Sequence, residues 1–209
     1  MRLGIVSDIH CNAAGLARAL EAMGEIDELI CAGDAIYQFR FSNEVVGRLR
    51  ERGAHLIHGN HEETFLSRDG VRAQQAPWIQ ADLLDYLREQ PATRRVQLNG
   101  KSLFVVHGSP WEPTREYLYP HTPTLRRFAD FDADYVIMGH THYQMAERVG
   151  RTLLINPGSA GEARDPRNDF QLSFAILDTG TDEVRFGNFP DPTRAAAPDA
   201  DLGWSSARP

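Results

Sequence analysis

The sequence is poor in lysine, in cysteine and in long apolar segments, and each shortage excludes a class of protein. Lys101 is the single lysine and the formal net charge is −7, which argues against general binding to nucleic-acid polymers because such binding needs a basic surface. No apolar stretch approaches the roughly 20 residues that cross a bilayer, so no membrane contact is expected. The first strand-like run begins beside Met1, which leaves no room for a signal peptide. We therefore expect a cytoplasmic protein.

The two cysteines, Cys11 and Cys31, are too few for a disulfide framework. Both lie near the polar clusters described below, so a redox pair or a thiolate ligand is conceivable. Their interpretation as small buried side chains in a reducing compartment is favoured.

The length and composition are those of one globular domain. The chain has 209 residues, of which 42% are hydrophobic and 24% are charged, and this is enough to bury a substantial core. We expect the domain to cover residues 1–189. Residues 190–209 are rich in Pro, Ala and Asp and are predicted to be a tail, from which Leu202 and Trp204 could dock.

The first third of the chain alternates strand-like and helix-like segments. Strands are predicted near 2–7, 27–32 and 54–58. One helix is predicted to begin at Asn12, a candidate N-cap, and another to cover residues near 42–52. This order implies a parallel sheet with right-handed crossovers.

The later segments suggest a second sheet. Helical spacing covers 78–89 and a stretch near 123–129, and Asn99-Gly100 is a strong signal for a two-residue hairpin. The later strands are predicted near 93–98, 102–107, 134–138, 144–149, 151–155, 170–177 and 183–189. Because the last of these have no helices between them, we expect them to pack on the first sheet, with helices outside.

Five strand-like runs end at Asp, Asn or His, and these ends carry the candidate chemistry. The ends are Asp8-Ile9-His10, Gly33-Asp34, Gly59-Asn60-His61, His107-Gly108 and Gly139-His140-Thr141-His142. Any one cluster alone would more often be turn chemistry or a hydrogen-bonded histidine. If the runs are neighbouring strands of one sheet, however, all five clusters meet at a single edge and together suit a two-metal site. His55, His58 and His121 lack this context and are left outside the site.

The spacing within the clusters suggests how metal ions would be held. Asp8 and His10 would share one face of an extended segment, as would His140 and His142. Either pair could chelate one ion or divide between two. Asp34 follows a glycine that allows a sharp turn, and its two oxygens make it the natural bridge between ions about 3.5–4 Å apart.

The donor set also indicates the metal and the substrate. Asn60 would add a neutral oxygen, so two divalent ions would keep a surplus of positive charge that attracts a phosphate ester. Nitrogen and oxygen donors suit Mn, Fe, Zn, Co or Ni, with manganese preferred. His61 would face away from the ligand position of Asn60, and its imidazole could protonate a departing alkoxide. Glu62 could orient or tune His61.

Through these residues the chain resembles the calcineurin-like metallophosphoesterases, in particular their small single-domain branch of bacterial and archaeal phosphodiesterases of the YfcE type. The resemblance runs from residue 1 to about 189. It rests on Ser7-Asp8-Ile9-His10, Gly33-Asp34, Gly59-Asn60-His61-Glu62, His107-Gly108-Ser109-Pro110, Gly139-His140-Thr141-His142 and Asn156-Pro157-Gly158-Ser159. It implies a four-layer α/β/β/α sandwich of two mixed sheets flanked by helices.

The resemblance also implies a division of the ligands between two divalent metal ions. One ion would be held by Asp8, His10, Asp34 and His142. The other would be held by Asp34, Asn60, His107 and His140. A metal-bridging hydroxide would attack phosphorus in line, while His61 would assist the leaving group or bind a phosphate oxygen. The loop 156–159 would support the site from the second sheet.

Two stretches depart from the family pattern. Cys11 stands where relatives usually have Gly, and residues 37–41 replace a Gly-Tyr-Gly-Pro-like stretch. Tyr37, Phe39 and Phe41 could form an aromatic wall for a base or an aryl leaving group, with Arg40 reading phosphate. Packing against a neighbouring subunit is an alternative of at least equal weight.

Two later loops hold further candidates for substrate binding. Trp111, Arg115 and Tyr117 follow His107 and could form the rim of a pocket. Arg164 and Arg167 could reach an anion, although solvation is the simpler interpretation.

The leading hypothesis is a binuclear metal-dependent phosphoesterase that hydrolyses a small phosphodiester or phosphomonoester. The alternative is a non-catalytic binding or scaffolding protein that reuses the fold. It is disfavoured because none of the seven predicted ligands, nor His61, is replaced. A nuclease for polymers is a third hypothesis, disfavoured by the acidic balance, and a homo-oligomer is left open.

Overall fold

The computed structural model describes residues 1–194 and 203–207, which form two β-sheets with helices on their outer faces. The α-helices of this part are Ala13–Met23 (α1), Asn43–Glu51 (α2), Asn60–Leu66 (α3), Val71–Gln74 (α4) and Ala81–Arg88 (α5). Two 3₁₀-helices cover Pro123–Phe128 and Pro166–Asn168. Within the described residues, no helix is long and apolar enough to span a membrane.

The strands divide between two mixed sheets. They are Arg2–Val6 (β1), Glu28–Cys31 (β2), His55–Leu56 (β3), Thr93–Leu98 (β4), Lys101–Val106 (β5), Tyr135–Ile137 (β6), Gln144–Val149 (β7), Thr152–Pro157 (β8), Leu172–Asp178 (β9), Glu183–Phe189 (β10) and Gly203–Ala207 (β11). The first sheet has the order β11-β10-β9-β1-β2-β3 and the second has the order β4-β5-β6-β8-β7. The expectation that the late strands near 170–177 and 183–189 belong to the second sheet is therefore wrong, because β9 pairs with β1 and β10 pairs with β9.

Parallel strands occupy the part of each sheet that leads to the site. β1, β2 and β3 are parallel, as the alternating strands and helices predict, and β5, β6 and β8 are parallel in the second sheet. The other pairings are antiparallel. The carboxyl ends of the parallel strands therefore come together at the same end of the molecule.

Alternation of side chains along the strands fills three hydrophobic cores. In β2, Leu29 and Cys31 pack with the helices α1, α2 and α5, whereas Ile30 packs between the two sheets. A third core lies under the 3₁₀-helix at Pro123–Phe128, which covers the outer face of the second sheet. The predicted order of four layers is therefore observed, with a 3₁₀-helix and its loops as the fourth layer.

Two local predictions are confirmed. Asn12 caps α1, because its side-chain oxygen accepts a hydrogen bond of 2.8 Å from the Gly15 amide. Asn99 and Gly100 join β4 to β5 with φ angles of 52° and 74°. Positive φ at both central residues is the requirement of a type I′ hairpin turn.

Other element boundaries differ from the prediction. α5 begins at Ala81 rather than near residue 78. The Asn43 side chain donates to the Trp78 carbonyl at 2.7 Å and accepts from the Gln80 amide at 3.0 Å, which holds these residues outside the helix. β3 is two residues long, and α3, which was not predicted, begins at Asn60.

Part of the predicted tail belongs to the first sheet. β11 pairs antiparallel with β10, and the Trp204 ring packs edge-on against Phe174 at 5.7 Å and under Arg185 at 4.5 Å. Docking of Trp204 therefore agrees with expectation, whereas Leu202 lies outside the described residues. The division at residue 189 remains a prediction.

Candidate metal centre

The five polar clusters meet at one end of the molecule, but they come from both sheets. Asp8, Asp34 and Asn60 follow β1, β2 and β3 of the first sheet, whereas His107 and the 139–142 cluster follow β5 and β6 of the second. The prediction of a single sheet edge is therefore wrong. The clusters converge because the two sheets pack face to face with these strand ends side by side.

The backbone at the clusters is left-handed rather than extended. The φ angles are 53° at Asp8, 48° at His10, 52° at Asp34, 69° at His140 and 59° at His142. The expectation that each Asp-x-His or His-x-His pair shares a face of an extended segment is therefore wrong. Residues other than glycine pay a conformational cost in this region, and such strain concentrates at functional sites.

Gly33 shows why the turn before Asp34 needs a glycine. Its φ angle is 91°, and a Cβ there would lie 2.8 Å from both the Gly59 nitrogen and His107 Nδ1. The backbone thus passes close to two other clusters, and the sharp turn expected at Gly33-Asp34 is observed.

Asp8, His10 and His142 form the first of two candidate ligand groups, which we call the first and second ligand group. One donor atom from each lies within 4.8 Å of the others, and all three side chains are buried. His142 Nε2 is 3.2 Å from Asp8 Oδ1 and 3.2 Å from His10 Nε2. These separations are those of donors that can share one ion at about 2.0–2.2 Å from each.

Asp34, His107, His140 and Asn60 form the second ligand group. The first three offer donor atoms within 4.8 Å of one another. His107 Nε2 lies 3.2 Å from Asp34 Oδ2 and 3.2 Å from Asn60 Oδ1. Asp34, His10 and His61 also offer donor atoms within 4.8 Å of one another. The Asp34 carboxylate therefore lies between the two groups.

The residues present fit a metal cation. Asp8 Oδ1 and His140 Nε2 are buried and have no hydrogen-bond partner among the described residues. Buried polar atoms without a partner are costly, and here both atoms face clusters of nitrogen and oxygen donors that a divalent cation would satisfy.

The electrostatics of the centre favour positive charge. Burial lowers the pKa of His10 and of His140 to about 4, so both rings are neutral at pH 7. Burial alone would lower the pKa of His107, but the nearby Asp34 carboxylate raises it to about 10. Against burial, neighbouring imidazoles hold the pKa of Asp8 and of Asp34 below the usual range. A position that favours a proton between Asp34 and His107 also favours a metal cation.

Hydrogen bonds distinguish His61 from the ligand histidines. His107 Nδ1 lies 2.8 Å from the Ala32 carbonyl and His142 Nδ1 lies 2.7 Å from the Glu162 carbonyl. A carbonyl only accepts, so both rings carry a proton on Nδ1 and turn Nε2 toward the centre, where a metal cation would replace any proton on Nε2. His61 Nδ1 accepts from the Gln38 amide at 2.8 Å, so neutral His61 carries its proton on Nε2, 3.7 Å from Asp34 Oδ2.

Glu62 has a role that the sequence did not reveal. Its buried carboxylate accepts hydrogen bonds from the amides of Asp34 at 2.8 Å, Ile36 at 2.9 Å and Gly59 at 2.8 Å. Burial and the nearby Asp34 raise the pKa of Glu62 to about 7. Glu62 therefore ties the loop after β2 to the start of α3, whereas a role in orienting His61 was expected. The available signal was its place three residues after Gly59, where Glu often bonds the first amide of a helix.

The loop 156–162, of which residues 156–159 were predicted, contacts the centre from the second sheet. The Asn156 amide donates to the Gly139 carbonyl at 2.7 Å, and Ser159 Oγ donates to the Asp8 carbonyl at 2.7 Å. Sequence reasoning missed Glu162, whose Oε2 lies 3.8 Å from His10 Nε2. It brings a third carboxylate close to the first ligand group.

The aromatic stretch 37–41 divides between the site and the core. The Tyr37 ring lies 5.0 Å from the His10 ring and 4.6 Å from the His61 ring, with the Arg40 guanidinium 5.4 Å from the Tyr37 centroid. Phe39 is exposed. Phe41 is only 3% exposed and packs on Phe65, so its expected place in an aromatic wall is wrong, because the helix core takes up its side chain.

The loop after His107 places its candidates in three environments. The Trp111 ring packs on Phe128 at 4.9 Å, in the outer layer, under the Arg127 guanidinium. Arg115 pairs with Glu63 at 3.7 Å and lines, with Asn60, a surface depression of about 350 Å³. The Tyr117 ring lies 3.8 Å from the His140 ring.

The remaining candidates lie outside the ligand groups. His55, His58 and His121 contact Glu28, Leu87 and Glu147, respectively. Arg164 and Arg167 pair with Glu162 and Asp165. Cys11 and Cys31 are free, and burial raises the pKa of both thiols, which favours their interpretation as neutral side chains.

Comparison with known proteins identifies the family of this fold and site. Residues 1–182 match the model of the calcineurin-like phosphoesterase superfamily domain. The chain therefore belongs to this family, and it is a metal-dependent hydrolase of phosphate esters, as the resemblance implied.

Individual relatives agree with this assignment. The chain is 25% identical over 162 residues to the phosphodiesterase MJ0936 of Methanocaldococcus jannaschii, which covers 76% of this chain and 83% of the relative. A metallophosphoesterase structure from Sphaerobacter thermophilus is 28% identical with a TM-score of 0.73, covering 91% and 89% of the two chains. The phosphoesterase YfcE of E. coli has a TM-score of 0.54 at 21% identity, covering 93% and 96%, a level that shows the fold alone.

Proposed function

We propose that this protein hydrolyses a small phosphodiester, or a phosphomonoester, at a centre of two divalent metal ions. The observation that carries the proposal is the convergence of the two ligand groups around Asp34, with an eighth side chain, His61, turned toward the same carboxylate. The first ion would be held by Asp8, His10, Asp34 and His142. The second would be held by Asp34, Asn60, His107 and His140.

The bound ions would supply Lewis acidity and a water of lowered pKa as the nucleophile. The chain's own residues supply orientation and a proton. His107 and His142 are fixed by backbone carbonyls with Nε2 turned toward the centre. His61 holds a proton on Nε2, at the side of Asp34, where it can donate to a leaving oxygen or to a phosphate oxygen.

The mixed nitrogen and oxygen donors suit Mn, Fe, Zn, Co or Ni, and among these manganese is the metal we propose. Tyr37, Phe39 and Arg40 are proposed to contact the substrate beside His61, and Arg115 beside Asn60, where it lines the surface depression. Substrate binding by Trp111 stays a prediction. Its ring packs into the outer layer, so the geometry does not support this role. We also propose a cytoplasmic location and no nucleic-acid polymer as substrate.

The test is hydrolysis of bis(p-nitrophenyl) phosphate by metal-free protein reconstituted with Mn, Co, Ni, Zn or Fe. Turnover should need one of these ions and should collapse in Asp34→Asn, because one carboxylate serves both ligand groups. His61→Asn should lower kcat by about 10²–10⁴-fold, the usual contribution of a general acid, with metal content unchanged by elemental analysis. No turnover with any of the five ions would contradict the proposal, and loss of metal from His61→Asn would make His61 a ligand instead.

A non-catalytic binding or scaffolding role is the alternative. It would be supported by stoichiometric metal binding without turnover of any mono- or diester tested. The intact ligand set argues against it, since all seven predicted ligands and His61 converge in the structure.

A further inference from the structure

Three tyrosines extend outward from the second ligand group. The Tyr117 ring lies 3.8 Å from the His140 ring at an angle of 31°. Tyr119 lies 6.5 Å from Tyr117 with its ring nearly parallel, at 13°. Tyr143 meets Tyr119 edge-on at 5.1 Å. We call these three residues the tyrosine row.

The row is open to solvent in a way that core packing does not require. Tyr117 is 54% exposed and Tyr119 is 38% exposed, whereas Leu118 between them is buried. In a segment of this alternation, Leu118 anchors the chain and the two tyrosines project to the other side. Large aromatic surface left exposed beside a proposed catalytic centre is typical of a ligand contact.

The segment that carries the row is fixed in place before any ligand arrives. Ser109 Oγ donates to Glu116 at 2.5 Å, and Glu116 also pairs with Arg127 at 2.6 Å. These contacts hold the residue immediately before Tyr117. A surface that is already ordered loses little conformational entropy on binding.

Tyr37, on the opposite side of the centre, is less available. Its ring is packed between the rings of His10 and His61 and is covered by Arg40. The Tyr37 ring therefore leaves less free aromatic face beside the first ligand group than Tyr117 and Tyr119 leave beside the second.

We infer that the organic group of the substrate is planar and aromatic, a nucleoside or an aryl ester, and that it stacks on the tyrosine row while the phosphate lies at the ligand groups. This inference rests on the proposed function, because it assigns the part of the phosphodiester that the metal centre does not bind. Tyrosine rings stack on any planar π-system, so the row selects the class of organic group and not one base.

The experiment compares three diesters in manganese-loaded protein. Bis(p-nitrophenyl) phosphate carries an aryl group, adenylyl-adenosine carries a nucleoside and glycerophosphocholine carries no ring. Each variant is compared with the wild type on the same diester, so that differences in intrinsic reactivity cancel. The variants are Tyr119→Leu, Tyr117→Leu and Tyr117→Phe, and Trp78→Leu is the matched control, since Trp78 is exposed but remote from the ligand groups.

Tyr119→Leu should lower kcat/KM for the aromatic diesters by about 10-fold more than for glycerophosphocholine, the size expected for one lost stacking contact. The loss should lie mainly in KM, and metal content should not change. Tyr117→Leu should act in the same direction, while Tyr117→Phe and Trp78→Leu should resemble the wild type. A drop for only one aromatic diester would tell aryl from nucleoside substrates.

Equal losses for all three diesters, or no loss for any, would overturn the inference. Turnover by the wild-type protein separates failure of this inference from failure of the proposed function. If wild-type protein turns over the diesters without discrimination by Tyr119→Leu, only the tyrosine row is refuted. If wild-type protein turns over none of them, nor the monoester p-nitrophenyl phosphate, the proposed function fails. Calorimetric titration of the manganese-loaded protein with adenosine 5′-monophosphate, with and without Tyr119→Leu, then still reports whether an aromatic group binds at the row.

Discussion

The two ligand groups are held by different parts of the chain. The first group depends on the loop 156–162. In this loop Ser159 donates a hydrogen bond to the Asp8 carbonyl, and the Glu162 backbone carbonyl accepts one from His142 Nδ1. The second group depends on Glu62 in α3 and on the Ala32 carbonyl, which directly follows β2 of the first sheet. The two halves of the centre can therefore be perturbed separately, although they share Asp34.

The two groups also differ in charge. The first contains Asp8 and lies beside the carboxylate of Glu162, whereas the second contains the neutral Asn60. Carboxylates stabilise a divalent cation more than a carboxamide does, so the first group should bind the tighter of the two ions. The second group should hold the ion with more unneutralised charge, which is the one better placed to polarise a phosphate oxygen.

Among the variants that distinguish the two groups, the largest effect is expected from Asp8→Asn, which removes the charged predicted ligand that belongs to the first group alone. Its activity should fall more than about 100-fold, the upper range for loss of an outer-shell partner, and one metal ion per chain should be lost. Elemental analysis and bis(p-nitrophenyl) phosphate turnover measure the two effects. Asp85→Asn, an exposed carboxylate on α5, is the control. Retention of two ions by Asp8→Asn would contradict the assignment of Asp8 as a ligand.

Glu62→Gln should weaken the second group more than the first. The new side-chain NH₂ would face amide N–H groups that now donate to a carboxylate, so we expect about 10–100-fold weaker binding of the second ion and a loss of about 1–3 kcal/mol in unfolding free energy. Metal titration by calorimetry and urea unfolding check both values. Glu63→Gln changes the neighbouring exposed residue and should affect neither. An equal weakening of both ions would show that the two supports are not separate.

Ser159→Ala tests the support of the first group in the same way. The hydroxyl donates to the Asp8 carbonyl and accepts from the Glu162 amide at 2.7 Å. Its loss should weaken the tighter ion by about 10-fold, the lower end for an outer-shell partner, and leave the weaker ion unchanged. Calorimetric titration resolves the two steps, with Ser67→Ala as the control. A change confined to the weaker ion would reverse the assignment of supports.

The smallest effect is expected from Asp165→Asn. Asp165 lies just beyond the loop 156–162 that supports the first group. Burial alone would raise the pKa of Asp165, but hydrogen bonds from Arg167 hold this pKa below its usual value. The folded-state pKa is thus lower than the unfolded one, so the stabilisation is full above about pH 4 and is lost as the pH falls through the folded-state pKa. Asp165→Asn should cost about 1–3 kcal/mol at pH 7 and progressively less in acid. Urea unfolding at several pH values measures the difference, and a constant difference would contradict the ionised partner.

Much of this organisation could be predicted from short-range signals. Asn12 and Asn99-Gly100 act through neighbours one to three residues away, so their roles are local. The polar ends of β1, β2, β5 and β6 were visible because each follows an apolar run. The division of those ends between two sheets was not, since strand composition does not say which strands pair.

The parts that could not be predicted depend on contacts distant in sequence. Glu62 bonds the amides of Asp34 and Ile36, which lie 28 and 26 residues away, and nothing in the local pattern marks them as partners. Phe41 alternates with exposed residues, yet the packing of Phe65 against it decides its burial. The pairing of β11 with β10 is also a long-range choice, in a segment whose composition suggests a tail.

Cys11 shows what the left-handed backbone means for recognising related sequences. Its φ angle is 64° and its thiol donates to the Arg40 carbonyl at 3.2 Å. Glycine adopts this conformation without strain, whereas a cysteine there is strained. Here a hydrogen bond accompanies the strained residue. A motif compared letter by letter records a mismatch at position 11, although the backbone of Cys11 is one that glycine would adopt freely.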